Sequence, residues 1–461
     1  MTNYAEWFEK ARDFFDAGRT RPLAARRAAL KRLDAALAAH EAALLRALHA
    51  DLGKPPMEAY ASEIGYVRGD IRFALRRLRR WVRPRRRRLP PALWPAQGRV
   101  QSEPRGVVLI LAPWNYPLQL ALSPLAGALA AGNAAAVKLA EHTPRVSAAV
   151  ARMIRDAFDP AHVTAFEGGV ETGRALLELP FDHVFFTGST AVGREVMRAA
   201  ARHPASVTLE LGGKNPCIVR ADADLPVAAR RIAWGKFLNA GQTCVAPDVV
   251  FVERAAHDRL VHALTDTVRA FYGDDPRRSP DYGRLVSERH ARRLVALLDG
   301  GAAACGGAHD VAARYLAPTV LTGVAPDSPL LTEEIFGPIL PVVPFDDLDA
   351  LLARLRAAPA PLAVYLFTRD RAAVRQVLQA TRSGGFCVND TVSQVIARRL
   401  PFGGIGASGI GRYHGKAGFD AFSHERAVLE RSTRIDPGLA YPPSKTSLRT
   451  LKRLYPWILG G

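Results

Sequence analysis

Val107-Val108-Leu109-Ile110-Leu111, followed by Ala112-Pro113-Trp114-Asn115-Tyr116-Pro117, is a fully apolar run of strand length that ends in a turn bounded by prolines. A strand with no polar alternation must be covered on both faces, which is the condition of a strand inside a parallel sheet. The pattern then continues. A helical stretch over 118–131 leads to Ala135-Ala136-Val137-Lys138, then to a helix over 145–158 and to strands at 163–166, 183–186 and 207–211 with helices between them. Strand and helix alternating at this spacing predict an α/β fold with a doubly wound, nucleotide-binding lobe.

Upstream, residues 1–83 read as helices, from the spacing of Trp7, Phe8, Ala11, Phe14 and Phe15 and from the Ala/Leu/Arg stretch over 24–52. Residues 84–104 are rich in Pro and Arg and break the helical section, with a short hairpin read around Gly98. After about Gly212 a second α/β lobe begins, with helices over 224–239, 256–271 and 287–298 and a strand within 361–367. From Ser423 polar and apolar residues alternate, and a short basic and apolar segment occupies 448–459.

The bulk properties narrow the function. A chain of 461 residues exceeds one ordinary core, so two or three lobes are expected. Hydrophobic residues at 48% and charged residues at 23% describe a soluble globular protein, and no apolar run is long enough to span a bilayer. Residues 1–21 alternate aromatic and charged positions without the apolar core of a signal peptide, which predicts an unsecreted, cytoplasmic protein. Cys217, Cys244, Cys305 and Cys387 lie far apart, with no Cys-x-x-Cys pair and no histidines at ligand spacing, so neither a disulfide framework nor a metal site is expected.

The net charge of +19 is carried mostly by arginine, and part of it is concentrated between Arg72 and Arg88 around Trp81. Such a patch suits nucleic acid or an anionic membrane surface. No helix-turn-helix, zinc finger or aromatic-studded sheet motif accompanies it. A solvated helix face and linker is therefore the preferred reading, and no specific nucleic-acid partner is expected.

Cys244 stands apart from the other cysteines. In Trp234-Gly235-Lys236-Phe237-Leu238-Asn239-Ala240-Gly241-Gln242-Thr243-Cys244-Val245-Ala246-Pro247-Asp248 a helical pattern ends at Asn239 and Gly241, and the strand-like Val249-Val250-Phe251-Val252 begins just after Pro247. A thiol on such a turn faces a pocket while neighbouring backbone amides stay free to stabilise negative charge. A cysteine met at random is more often a small packing residue, but the flanking Gly-Gln-Thr and Val-Ala-Pro are turn chemistry.

Five further motifs surround it. Phe186-Thr187-Gly188-Ser189-Thr190-Ala191-Val192-Gly193 follows a strand and opens a helix, where backbone amides attract phosphate. Lys138 and Glu141 lie just past a strand of the same lobe, placed to meet ribose hydroxyls. Leu209-Glu210-Leu211-Gly212-Gly213-Lys214 puts a carboxylate at the end of an apolar strand, where burial makes it a candidate general base. Asn115 sits at the carboxyl end of the lobe's first strand and offers an amide donor to an oxyanion. Glu333-Glu334-Ile335-Phe336-Gly337-Pro338 supplies a carboxylate and a ring beside a turn.

With these residues in this order and spacing, the sequence resembles the aldehyde dehydrogenase superfamily over essentially its whole length. The run 241–248, with Tyr413-His414-Gly415-Lys416 and Phe422-Ser423-His424, looks most like the class 3 branch, which handles aromatic and medium- to long-chain aldehydes. The resemblance implies a Rossmann-like cofactor domain (1–82 and 103–211), an α/β catalytic domain (212–419), a small β oligomerisation arm (83–102 and 420–436) and a C-terminal tail (437–461). It implies Cys244 as the nucleophile forming a thiohemiacetal and then a thioester, Asn115 with the Cys244 amide as the oxyanion holder, and Glu210 as the base for hydrolysis. Lys138 and Glu141 would hold the adenosine ribose, Gly188 and Ser189 the pyrophosphate, and Glu334 with Phe336 the nicotinamide riboside, with Gly193 and Leu211 also binding the cofactor. Tyr66, Trp234 and Thr243 would line the aldehyde pocket.

The implied cofactor is NAD, with NADP also accepted, because Glu141 would repel a 2′-phosphate. The implied assembly is a homodimer through the arm. Leu139 in place of a usual proline and Ala407 in place of a usual asparagine depart from the pattern and bear on cofactor affinity and loop rigidity. Two other readings stay open here: transfer of the thioester to coenzyme A, and a non-catalytic protein binding nucleic acid or an anionic surface through 72–88. For the tail, packing on the body or fraying is favoured over lying on a membrane surface.

Overall fold

The computed structural model describes residues 3–436, 441–443 and 446–459. Two sheets organise them. The first has six strands in the order 409–410, 206–211, 183–188, 107–111, 134–138 and 163–166, all parallel except the short Gly409–Ile410. Strand Val107–Leu111 is its centre and needs both faces covered, as its sequence requires. Val108 and Ile110 face a core shared with the helices Leu23–Leu52 and Gln119–Ala131, whereas Val107, Leu109 and Leu111 face Trp7, Phe8, Ala11 and Phe15 of the helix Tyr4–Asp16. Each such buried aliphatic side chain contributes roughly 1.5–3 kcal/mol.

The chain order reverses at this strand. Its neighbours are 134–138 on one side and 183–188 on the other, so the turns after Leu111 and Gly188 open a crevice at the carboxyl edge, where doubly wound sheets bind ligands. Both turns carry residues that the sequence singled out, Asn115 and Ser189.

The second sheet has seven strands in the order 302–305, 319–322, 339–345, 249–253, 216–219, 363–367 and 385–388. The helices expected over 224–239, 256–271 and 287–298 form at Leu225–Phe237, His257–Tyr272 and Glu288–Val295. Gly409–Ile410, from within the span expected for the second lobe, crosses back to pair with Leu209 and Glu210 of the first.

The hairpin read around Gly98 is present: Arg85–Arg87 pairs antiparallel with 97–104, with Arg87 opposite Gly98. Ser423–Glu430 adds to 97–104 over eight residue pairs, completing a separate three-stranded sheet. Trp81 is buried against Phe73 and Phe419 and so does not join the arginines beside it. Arg72, Arg76, Arg79 and Arg80 form a solvated helix face.

The tail reading falls partly on 437–440, 444–445 and 460–461, which lie outside the described residues. Leu448–Leu459 is a helix beside the turn Pro91–Leu93, and Leu448, Leu451, Leu454, Tyr455 and Trp457 on it are exposed rather than packed on the body. No helix among the described residues is long and apolar enough to cross a membrane.

One buried ion pair ties the N-terminal helices to the crevice. Lys54 and Glu63 are both fully buried with Nζ and Oε1 2.5 Å apart, and the other Glu63 oxygen accepts the backbone N–H groups of Leu118 and Gln119 at 3.0 and 2.8 Å. Removing one partner of such a pair strands the other charge. Lys54→Met is expected to lower stability by roughly 3 kcal/mol, read from urea unfolding, while Lys54→Met with Glu63→Gln recovers part of it; a single variant as stable as wild type would refute the coupling.

Candidate active site

The helix Leu225–Phe237 ends and the chain reverses through three left-handed residues, Asn239, Ala240 and Gly241, with φ of 54°, 52° and 74°. Gly241 has no alternative, because a Cβ there would lie 2.3 Å from the Gly337 carbonyl oxygen. A set of amide hydrogen bonds offsets this strain. Gln242 Nε2 donates to the Asn239 and Arg284 carbonyls at 3.0 and 3.1 Å, and its Oε1 accepts the Val286 N–H at 2.9 Å. Asn239 Nδ2 donates to the Asn115 carbonyl at 2.8 Å, and Asn115 Nδ2 donates to the Gln242 carbonyl at 3.0 Å. The turn is thereby fastened to the loop after Leu111.

Cys244 follows on that turn. Asn215 Nδ2 holds its carbonyl at 2.8 Å and that of Ala246 at 3.0 Å, while Tyr116 and Thr243 share a hydroxyl hydrogen bond of 2.7 Å. The thiol opens into a largely apolar cavity of about 600 Å³. Tyr66, Trp234 and Thr243, all expected in the pocket, line it with Cys244.

Glu210 approaches from the other lobe, at the end of strand 206–211. It is almost fully buried, and neither carboxylate oxygen has a hydrogen-bond partner. Burial raises its carboxyl well above the ordinary range. The Cys244 thiol is pushed up to about 12, first by burial and then by the Glu334 and Glu210 carboxyls. Glu334, its Oε1 accepting the Gly213 N–H at 3.2 Å, is itself raised to about 7 by burial and by Asp248. A thiol, a dry carboxyl and an amide with a second free N–H thus meet where two sheets face each other. The combination suits addition of a nucleophile to a carbonyl followed by activation of water.

A second crevice of about 510 Å³ is lined by Thr190, Arg194, Gly212, Gly213, Lys214 and Glu334 on the side of the first sheet's carboxyl edge. Its architecture fits a dinucleotide. Ser189 caps the helix Thr190–Ala200 by accepting the Val192 N–H, and the first N–H groups of that helix are of the kind left for an anion. A Cβ at Gly193 would come within 2.7 Å of the Leu211 side chain, and one at Gly212 within 2.1 Å of Glu334. Close helix packing and close backbone approach both depend on these glycines. Lys138 donates to Glu141 at 2.5 Å at the end of the neighbouring strand, and Phe336 stands edge-on to Trp114. Of the cofactor residues read from the sequence, only Glu334 lines this crevice; Gly193 packs against Leu211 outside the lining, and Lys138, Glu141, Gly188, Ser189 and Phe336 do not line it.

The sequence reading passed over Asn215, Gln242 and Tyr413 as site residues. Tyr413 is fully buried, and both Glu210 and Cys244 act on its hydroxyl. Asn215 and Gln242 are amides beside glycine-containing turns, but their backbone partners at Ala363 and Val286 are remote in sequence, and the sequence carries no signal of those contacts.

Comparison with known proteins agrees with this geometry. The aldehyde dehydrogenase family model matches residues 2–428, and the chain belongs to that family. It is 44% identical to the 4,4'-diaponeurosporen-aldehyde dehydrogenase of Staphylococcus aureus, covering 97% of this chain and 98% of the relative. It is 45% identical to human aldehyde dehydrogenase family 3 member B1, over 98% and 97% of the two chains. The solved structure of substrate-bound Staphylococcus aureus AldH superposes with a TM-score of 0.97 at 43% identity, over 99% of this chain and all of the other. The protein is an NAD(P)-dependent aldehyde dehydrogenase of the class 3 kind.

With its thiol raised to about 12, Cys244 in the cofactor-free protein is almost wholly protonated near neutrality. Its alkylation by iodoacetamide, followed by mass spectrometry of the peptide that contains it, should rise roughly tenfold per pH unit from pH 7 to 10 without levelling. A plateau below pH 9 would show the thiol to be activated before any ligand binds.

Proposed function

We propose that the chain oxidises long, apolar aldehydes to carboxylic acids, using Cys244 as nucleophile and Glu210 as general base. The observation that carries this reading is the position of Cys244 in a 600 Å³ cavity, largely apolar, whose walls include Leu120, Leu238, Val395 and Phe402 and the exposed Met57, Phe271 and Ile396. An apolar chain gains from each methylene placed against such walls, by about 0.8 kcal/mol. The relative named for 4,4'-diaponeurosporen-aldehyde points to the same substrate class.

Cys244 adds to the aldehyde carbon, and its own N–H with the free N–H of Asn115 Nδ2 holds the resulting oxyanion. NAD(P), when bound, accepts the hydride that leaves the aldehyde carbon. Glu210, dry and without partners, takes a proton from the water that hydrolyses the Cys244 thioester. Lys138 and Glu141 hold the adenosine ribose, the helix start at Ser189 faces the pyrophosphate, and Glu334 and Phe336 flank the nicotinamide end. Glu141 disfavours a 2′-phosphate, so NAD is preferred over NADP. A relative from dog, 41% identical, is named dimeric and NADP-preferring, so the cofactor preference and the assembly are both open to test. We assign the three-stranded sheet of 85–87, 97–104 and 423–430 to a homodimer interface and the protein to the cytoplasm.

Reduced cofactor formation at 340 nm tests the chemistry. Wild type should turn over with kcat/KM rising along a series of unbranched aldehydes, Cys244→Ala should lose at least roughly a thousandfold, and Glu210→Gln should give no more than one equivalent before stalling as the thioester accumulates. Full turnover by Glu210→Gln would remove the glutamate from its role. Turnover only on addition of coenzyme A would replace hydrolysis by acyl transfer.

A further inference from the structure

The cavity that holds Cys244 has a charge opposite to that of the chain. Lys and Arg outnumber Asp and Glu by 63 to 44, yet the only charged side chains lining this cavity, among the described residues, are Glu58 and Asp281. Cations close behind the wall are already engaged. Lys54 is paired with Glu63 and sits 4.0 Å from the centre of the Tyr116 ring, and Arg398 is bound to Asp70 at 2.7 Å.

The two lining carboxylates are not paired. Glu58 Oε1 accepts the backbone N–H of Asn239 at 3.1 Å, on the turn that leads to Cys244, and its other oxygen has no hydrogen-bond partner among the described residues. The Asp281 carboxylate has neither a hydrogen bond nor an ion pair there, and the side chain is exposed. Tyr272 lines the cavity with them: burial raises its hydroxyl, and both Glu58 and Asp281 raise it further, so each acid lies near this ring. The acids therefore share one wall. An aldehyde that enters is neutral at its reacting end, whereas the acid that leaves is an anion.

We propose that Glu58 and Asp281 set the charge selectivity of this enzyme, admitting neutral and cationic aldehydes, rejecting those that carry a carboxylate or phosphate, and driving out the carboxylate product. The proposal rests on the reading of this cavity as the aldehyde's path. Glu58, without an ion pair in a largely apolar cavity, acts on a second charge with less screening than at the surface, and the exposed Asp281 adds a weaker, more screened field. Rejection by like charge is also the cheaper route to specificity, since neutral ligands lose nothing by it.

The wall should respond to pH. Burial raises the Glu58 carboxyl to about 7, with Lys54 and the Asn239 N–H opposing and Glu63 adding to the rise. Tyr116, Tyr272 and Tyr282, which also lie within its reach, are neutral across this range. Rejection of anions is therefore strongest above pH 7 and weakens as Glu58 takes up a proton below it.

The test uses three aldehydes of matched length ending in methyl, carboxylate and trimethylammonium groups, with the full-length enzyme. The readout is the ratio of kcat/KM for the neutral aldehyde to that for the anionic one, which cancels general effects of a variant on turnover. Wild type should show a large ratio at pH 8 that declines towards pH 6. Glu58→Gln should reduce the ratio roughly tenfold and abolish most of its pH dependence, Asp281→Asn should reduce it less, and in both the carboxylate product should become a tighter inhibitor. A wild-type ratio near one, or a ratio and product inhibition unchanged in both variants, would overturn the proposal. The neutral series separates the two layers: absence of any chain-length dependence defeats the path reading and the selectivity with it, whereas chain-length dependence with an unchanged charge ratio defeats the selectivity alone.

Discussion

The left-handed turn at Asn239, Ala240 and Gly241 is the constraint on which the site depends. Only there can a helix of the second lobe stop, reverse and enter strand 249–253 with a thiol held at the surface of a cavity. Two non-glycine residues at positive φ are strained, at about 1 kcal/mol or more each. The side-chain amides of Gln242, Asn239 and Asn115 overdetermine the conformation, and each of them bonds to backbone rather than to another side chain. The same bonds fasten the loop after Leu111 to the turn. The oxyanion amide and the thiol are therefore held in register across two lobes by one network.

That network also explains why a thiol so hard to ionise belongs in a nucleophile's position. Burial first, and then the Glu334 and Glu210 carboxyls, press the Cys244 proton on, and among the described residues nothing cationic lines the cavity to oppose them. A protonated thiol is a poorer nucleophile than a thiolate, so these groups hold Cys244 in its less reactive form. The local charge balance shifts only when positive charge enters beside it. Glu210, one of the acids acting on the thiol, is also the base proposed for hydrolysis, so on that reading restraint and catalysis are two uses of one electrostatic arrangement.

Much of the fold was legible because its strands declare themselves. Val107–Leu111 has no polar interruption and every residue of it is buried, and a sheet covered on both faces is the only place for it. Cys244, Glu210 and Asn115 were legible as well, because each lies where a regular element meets a glycine- or proline-rich turn. What stayed hidden was of a different kind. Asn215 and Gln242 act through hydrogen bonds to backbone groups that are remote in sequence, such as Ala363 and Val286, and no spacing along the chain announces those. Trp81 misled in the opposite sense, since its arginine neighbours suggest a binding surface while its own ring is buried against Phe419.

Glu58 shows the limit most clearly. In sequence it stands in no motif, just after Pro55-Pro56-Met57, and reads as one more surface carboxylate. Its meaning comes from topology: the π-helical segment 60–64 and the helix after it bring this early part of the chain across to the turn of the second lobe, 181 residues away. There it meets a backbone N–H that the left-handed turn has taken out of helical bonding. On the proposed reading, a neutral aldehyde becomes an anion in a cavity whose only lining charges, among the described residues, are negative. A wall of that sign favours entry over retention, and it does so without any contact specific to the substrate's carbon skeleton, which the apolar lining is left to read.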